Sequence, residues 1–553
     1  MADKHAFRLL MTWKKRHFHA VSRFMAAFML KLNTKSSDDD SHSKNKYATY
    51  QCNSSHTGVS DPLQHTARSS HRHCATRTCV LDYFGWIGKF TPCYRVKGDQ
   101  VLVITEPTQF YEVLKIKARK ATSRITIASL YLGTGQLEHD LVACIREACE
   151  NARKVGNSAM KVNILLDYTR GSRGKTISSR TMLQSLLKDF PSSVDVSLYH
   201  TPDLRGLLKQ VVPERFNETI GLTHLKVYLF DDSVIISGAN LSDNYFTNRQ
   251  DRYVLFNDSK SLADFFDNLV KTVGNLSFKM KHDNTLALAD EESIHPFKDN
   301  DDGSRFKRRA RKQIQKLLTS SMEYSWNMED DRTHCEEDGT SGYDTLVYPL
   351  IQMGPLGITH DENITLNLFR SAAPGDEILL ASGYFNLTDH YMNVILQESH
   401  AKYGILMASP EVNGFFGAKG IAGSIPTAYV HIANLFFKSL VWYGQTQRIQ
   451  MFEYFRDKWT FHVKGLWYYL PGESLPSLTF IGSPNFGYRS VYRDLECQLA
   501  VVTENTRLRE QLREEHVRLY QSSNLVTSEL FKRKDRHVPM WAKAVTTVIK
   551  NFF

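Results

Sequence analysis

The chain carries His224-Leu-Lys226-Val-Tyr-Leu-Phe-Asp231, followed by Ser237-Gly238-Ala239-Asn240. The apolar run between Lys226 and Asp231 reads as a short buried strand. Two residues apart on such a strand, His224 and Lys226 share one face. The Gly-Ala-Asn segment reads as a tight turn or strand end that presents small side chains and amides, which suits a phosphate. Asp251 follows Asn240 by eleven residues.

The same order of residues recurs downstream. His462-Val-Lys464 precedes Gly482-Ser483-Pro484-Asn485, and Glu496 follows Asn485 by eleven residues. The flanking segments repeat as well. Arg124-Ile-Thr-Ile-Ala-Ser-Leu-Tyr-Leu132 is matched by Glu377-Ile-Leu-Leu-Ala-Ser-Gly-Tyr-Phe385. Each follows a predicted helix (about 107–120 and 362–372) and is followed by a further helix and strand (162–167 and 403–408). Strands alternating with helices predict an α/β fold, with two lobes that each hold a mixed, mostly parallel sheet flanked by helices. A constellation present twice is seldom accidental, and the site is expected where the two lobes meet.

These residue types define a chemistry. A phosphodiester or pyrophosphate is attacked in line by one histidine, giving a covalent phosphohistidine. The other histidine protonates the leaving oxygen and later deprotonates the acceptor. Lys226, Lys464, Asn240 and Asn485 hold the equatorial oxygens, with Ser483 in support. Asp251 and Glu496 are suited to fixing a neighbouring imidazole in one tautomer. The fixed cations supply the charge stabilisation, so the scheme calls for no metal and no cofactor.

The chain has 553 residues and a net charge of +10, which favours an anionic partner, either nucleic acid or a membrane surface. Residues 1–36 combine Arg8, Lys14, Lys15, Arg16 and Arg23 with Leu9, Trp13, Phe18 and Phe28, the make-up of a mitochondrial presequence. Residues 37–75 read as a disordered linker. The lobes are expected at 76–281 and 343–530, with a polar insert or linker at 282–342 and a basic amphipathic tail at 531–553. The eight cysteines form no disulfide framework, and the spacing of His71, His73, Cys74, Cys79 and Cys93 matches no zinc module. No run of 18 apolar residues occurs, so membrane contact is expected at the surface only. The segment Tyr429–Tyr443 suits either a core helix or a membrane-facing one. The tail suits either an anionic membrane or packing against the main body.

The two half-sites resemble the phospholipase D superfamily, whose signature is H-x-K-x4-D followed by G-S-x-N. Within it the chain is similar to the eukaryotic mitochondrial phosphatidylglycerophosphate synthases (CDP-diacylglycerol–glycerol-3-phosphate 3-phosphatidyltransferases). The resemblance is carried by Ala128–Gly135, Thr169–Gly174, His224–Tyr253, His462–Trp467 and Gly482–Glu496. It implies CDP-diacylglycerol and glycerol 3-phosphate as substrates, no nucleic acid, and an anionic membrane surface in the mitochondrion, the inner membrane, as the place of work. One departure stands out: Tyr469 occupies the place of the second motif Asp, and seven extra residues separate His462 from Asn485. His224, in the complete motif with Asp231, is therefore read as the nucleophile and His462 as the acid/base. Arg170 and Arg173, after the strand ending at Asp167, are candidates to clamp the acceptor's phosphate, with Lys419 a weaker one. Ala128, Ser129, Leu130, Tyr131, Leu132, Gly133, Thr134 and Gly135 suit either a strand-to-helix turn or a place near the CDP moiety. Alternatives are another superfamily enzyme (a cardiolipin or phosphatidylserine synthase, a lipase, a nuclease) or a non-catalytic lipid-binding scaffold.

Overall fold

The computed structural model describes residues 79–552 apart from 175, 213, 299–301 and 331–341. The expected presequence, the linker at 37–75, and His71, His73 and Cys74 lie outside the described residues.

Local rules set the repeated units. The helix Pro107–Lys120 starts with Pro at its first position and a capping box between Glu106 and Gln109. It ends on Lys117, Arg119 and Lys120, where cations favour the helix terminus, and buries Phe110, Leu114 and Ala118 as one stripe. It delivers the chain into the strand Arg124–Ala128. In the second half the helix His360–Ser371 leads to the strand Glu377–Ser382 in the same way.

Two mixed sheets result. The first runs in the order 286–287, 278–280, 194–199, 161–167, 124–128, 227–230, 233–237, 253–256, 101–104. The second runs 94–96, 345–353, 495–503, 478–482, 464–469, 377–382, 402–408, 449–454, 523–525. Around the motifs the two orders match strand for strand. The expectation of mostly parallel sheets is corrected. Parallel pairing is confined to 124–128, 161–167 and 194–199 in the first sheet and to 377–382, 402–408 and 449–454 in the second. The motif strands are joined by hairpins, and a hairpin makes its strands antiparallel. In the first half the hairpin turns at Asp231-Asp232, with Asp231 at φ 51°. In the second it spans residues 470–477, so the seven extra residues fall at the hairpin tip.

The inner faces of both sheets share one core: Val227, Leu229 and Ile236 of the first pack in the same cluster as Val347, Trp467 and Leu499 of the second. Separate clusters cover the outer faces. Two expected boundaries change. The strand Tyr94–Val96 belongs to the second sheet, where Tyr94 pairs with Val347, and the helix Val80–Phe84 packs Phe84 into that sheet's outer core. The stretch 282–342 contains a 27-residue helix, Ser304–Asp330, with Phe306, Ala310, Ile314 and Leu318 in the shared core at every fourth residue. The tail also docks: Arg536 is buried against Glu411 and Glu453 (2.6 and 3.0 Å) and precedes the helix Met540–Ile549.

Candidate active site

Both motif histidines sit just before their strands rather than within them; the strands begin at Val227 and Lys464. Those strands run antiparallel to 124–128 and 377–382, so the histidines lie at the carboxyl ends of the parallel strands, where α/β folds gather ligands. Each histidine is held by backbone of the other half. His224 N donates to Leu495 O (2.8 Å), and His462 N donates to Gln250 O (2.9 Å). Thr460 and Phe461 pair in parallel with Arg249 and Gln250.

This crossing places each carboxylate on the opposite histidine. His224 Nδ1 lies 2.8 Å from Glu496 Oε2, and His462 Nδ1 lies 2.7 Å from Asp251 Oδ2. With Nδ1 facing a carboxylate, Nε2 is the nitrogen each ring has left to offer a substrate. Lys226 Nζ donates to the carbonyl of His224 (2.8 Å) and Lys464 Nζ to that of His462 (2.7 Å). Gly238 permits this crowding: a Cβ there would stand 2.7 Å from Asp251 Oδ1 and 3.0 Å from Lys464 Cδ. Gly383 does the same for the second histidine, with His462 Cα only 2.9 Å from its Cβ position.

Burial and charge set the protonation states. Burial holds both imidazoles well below the usual histidine value, and Lys226 pushes His224 further down as Lys464 does His462. Burial lowers Lys464 to about 8 against the pull of Asp251, and lowers Lys226 against that of Glu496. Burial raises Asp251 to about 6 and raises Glu496 as well. Two imidazoles, two buried lysines and two carboxylates at Nδ1 gather the kinds of group that phosphate binding, covalent transfer and proton passage call for.

No protein-family model matches the chain. A mitochondrial CDP-diacylglycerol–glycerol-3-phosphate 3-phosphatidyltransferase of Gallus gallus is 50% identical over 486 residues, covering 85% of this chain and 86% of the relative. That of Homo sapiens is 50% identical over 482 residues with the same coverage. The chain belongs to the CDP-diacylglycerol–glycerol-3-phosphate 3-phosphatidyltransferase family. A phosphatidylserine synthase of Haemophilus influenzae, 16% identical, shares the fold with a TM-score of 0.59 over 85% of this chain and 99% of its own.

For this phosphatidyltransferase family member, the expected site residues divide. His224, Lys226, Asp251, His462, Lys464 and Glu496 converge. Asn240 joins them through Tyr245, to whose Oη its Nδ2 donates (3.0 Å), and the Oδ1 atoms of Asn240 and Asn485 are buried without a hydrogen-bond partner among the described residues. Ser483 Oγ donates to Cys497 O (3.1 Å) and fixes the strand that carries Glu496.

Asp231, expected with the catalytic set, stands apart from the converging side chains. It lies at the far end of strand Val227–Phe230, where its carboxylate accepts from Thr122 N (3.0 Å), Ser123 N (2.7 Å) and Arg124 N (3.1 Å). Burial raises its pKa, and these bonds outweigh burial to leave it below the ordinary value. Tyr469 stands at the matching end of its strand, bonded to His516 and likewise away from the histidines.

The Ala128–Gly135 segment is a strand-to-helix connection. Ala128, Ser129, Leu130 and Leu132 are buried, and Gly133 N donates to Leu241 O (2.7 Å), which removes that amide from any phosphate. Arg170 and Arg173 both pair with Glu218, Arg170 at 3.2 Å, and Arg170 also lies over the Tyr131 ring (4.4 Å). The Gly-rich loop carrying Lys419 leads into helix Ile425–Trp442.

Three residues escaped the sequence reading. Tyr245 Oη meets His462 Nε2 at 3.3 Å, and Tyr384 lies edge-on to the same ring (5.6 Å). Arg249 rests over Tyr245 (4.6 Å) and reaches Tyr384 Oη (3.4 Å). The matching of Tyr131 with Tyr384 in the repeat was the one available signal.

Proposed function

We propose that the protein transfers a phosphatidyl group from CDP-diacylglycerol to sn-glycerol 3-phosphate, releasing CMP and forming phosphatidylglycerol phosphate. The crossed pairing His224–Glu496 and His462–Asp251 carries the mechanism. His224 Nε2 attacks the phosphorus that bears the diacylglycerol. The bond from that phosphorus to the bridging oxygen breaks, His462 gives a proton to the CMP phosphate, and a phosphatidyl-histidine remains. His462 then takes the proton of a glycerol 3-phosphate hydroxyl, which attacks the same phosphorus and breaks the P–N bond. Glu496 steadies the charge on His224 while the intermediate exists, and Asp251 does so for His462 before the first step and again after the second, when that ring holds the proton. Lys226, Lys464, Asn240 and Asn485 hold the non-bridging oxygens.

The contact of His462 Nε2 with the Tyr245 hydroxyl supports its proton-transfer role: the ring is aligned and 4% exposed, against 12% for His224. Arg170 and Arg173 take the acceptor's own phosphate after it displaces Glu218. The enzyme works in the mitochondrion, in line with the names of its relatives, and there acts peripherally on an anionic membrane. Among the described residues no helix is long and apolar enough to cross one.

The test supplies labelled CDP-diacylglycerol with glycerol 3-phosphate, serine, phosphatidylglycerol or water in turn. Only glycerol 3-phosphate should give a labelled lipid product at a high rate. Preference for any other acceptor ends this reading.

A further inference from the structure

Two helices on the outside of the second lobe leave apolar side chains in solvent. Ile425–Trp442 buries Ala433, Phe436 and Leu440 inward. Outward, His431, Leu435, Lys438 and Trp442 recur at intervals of four, three and four residues and so form one stripe along the helix. Leu435 is 47% and Trp442 86% exposed. Met540–Ile549 packs beside it through Ala542 on Val430 and leaves Met540 and Trp541 77% and 59% exposed. Lys438, Lys534 and Lys543 form no ion pair among the described residues. Lys543 and Lys438 both act electrostatically on His431, so one cation lies in the stripe and another beside it.

The same helices touch the active-site wall. Tyr429, in the second turn of the first helix, packs on Tyr384 (5.6 Å), which packs on His462 (5.6 Å). Just past the second helix, Lys550 O accepts from Asn386 Nδ2 (2.6 Å) and Asn551 O from Arg493 Nε (3.0 Å). A stripe that interleaves Leu435 and Trp442 with basic side chains along a helix, rather than capping its end, fits a helix lying in the plane of a bilayer interface.

We propose that the paired outer faces of Ile425–Trp442 and Met540–Ile549 are the surface by which this protein seats on an anionic phospholipid bilayer, with Leu435, Trp442, Met540 and Trp541 in the headgroup–acyl boundary and Lys438 and Lys543 over anionic headgroups. The inference rests on the reading of the donor as a diacyl lipid. It adds which face meets the membrane and why: the flat-lying helix brings its Tyr429 end, and with it the site, to the interface where that lipid resides. Charge complementarity selects the occupant, because unpaired lysines beside exposed tryptophans match an anionic interface.

The test uses the full chain with Trp442→Glu and Trp541→Glu, singly and together, and with the Lys438→Glu/Lys543→Glu pair. Binding is measured by co-sedimentation with vesicles of phosphatidylcholine containing phosphatidylglycerol, and with phosphatidylcholine alone. Each tryptophan change should weaken binding to the mixed vesicles roughly tenfold. The lysine pair should remove most of the preference for the mixed vesicles, about fivefold per charge. Turnover of CDP-diacylglycerol in vesicles should fall in parallel, while turnover of a short-chain donor in detergent stays within about twofold of the unaltered protein. Unchanged vesicle binding in the double tryptophan variant, or equal loss of detergent activity, overturns the proposal. Normal binding loss with no turnover of any CDP-diacylglycerol, by unaltered protein included, leaves the surface standing and rejects the reading of the substrate.

Discussion

His462 Nδ1 stands 2.7 Å from Asp251 Oδ2, a carboxylate contributed by the other half of the chain, and the His224–Glu496 pair mirrors it at 2.8 Å. Neither half can assemble a supported histidine alone. The exchange ties catalysis to the contact between the two sheets.

The carboxylates should therefore fail crosswise. Glu496→Gln should impair covalent labelling by the donor, the step given to His224. Asp251→Asn should spare labelling more than it spares turnover. Loss of such a carboxylate costs about 10⁴-fold in a comparable histidine system. Rapid-quench labelling followed by acceptor chase separates the steps. If Glu496→Gln labels normally and Asp251→Asn does not, the assignment of the two histidines is reversed.

The pH profile should be bell-shaped. Asp251, raised to about 6, is ionised above that pH and supports the His462 imidazolium; below it the carboxyl is neutral and the support is lost. Lys464, lowered to about 8, carries its charge below that pH and loses it above. The ratio kcat/KM, which reports the free enzyme, should fall on both sides of this window. Bound phosphate favours the ammonium, so the alkaline limb of kcat should lie higher than that of kcat/KM. Coincident alkaline limbs would show that Lys464 is not the group involved.

Asp231 should matter for stability and little for chemistry. Asp231→Asn keeps a residue tolerant of its φ of 51° but weakens the bonds to Thr122, Ser123 and Arg124. A loss of about 1–3 kcal/mol in urea denaturation is expected, with kcat of the folded protein nearly unchanged. Tyr469→Asp, which restores the motif, should not raise kcat. A large rise would place that residue in the mechanism after all.

Arg252 and Glu515 form a buried pair across the two halves. Arg252 Nη2 lies 2.7 Å from Glu515 Oε2, Nη1 donates to Phe480 O (2.6 Å), and the guanidinium rests 4.0 Å from the Trp467 ring. Arg252→Leu leaves a carboxylate buried without its partner and should destabilise by about 3–5 kcal/mol. Adding Glu515→Leu should recover part of that. Strictly additive losses in the double variant would mean the two groups are not energetically coupled.

Arg170→Ala and Arg173→Ala should raise the KM for glycerol 3-phosphate by roughly 10- to 150-fold each, as expected for one charged hydrogen bond. Donor labelling should be far less affected. Glu218→Gln frees both guanidinium groups and should lower that KM. If all three variants saturate normally with acceptor, the cluster serves only to pin its loop.

The repeated order of His, Lys, Asn and carboxylate, with its matched strand and helix segments, was legible in the chain because each is a local pattern: a buried strand, a turn, a fixed offset. Residue type and spacing also named the reacting groups, since only a few side chains serve as nucleophile, proton carrier or phosphate ligand. What spacing cannot express is partnership between residues more than 200 positions apart. Whether Asp251 serves His224 or His462 depends on which backbone lies beside which, and that was decided when Gln250 paired with His462 and Leu495 with His224. The places of Tyr245, Tyr384 and Arg249 follow from the same packing. Tertiary contact also turned a polar stretch into the helix Ser304–Asp330, because an apolar residue at every fourth position becomes a core stripe only when a core is there to receive it. The sequence by itself determined the reacting groups and their duplication; the contact of the two sheets decided which carboxylate serves which histidine, because burial between the halves is what brings those distant segments within hydrogen-bonding distance.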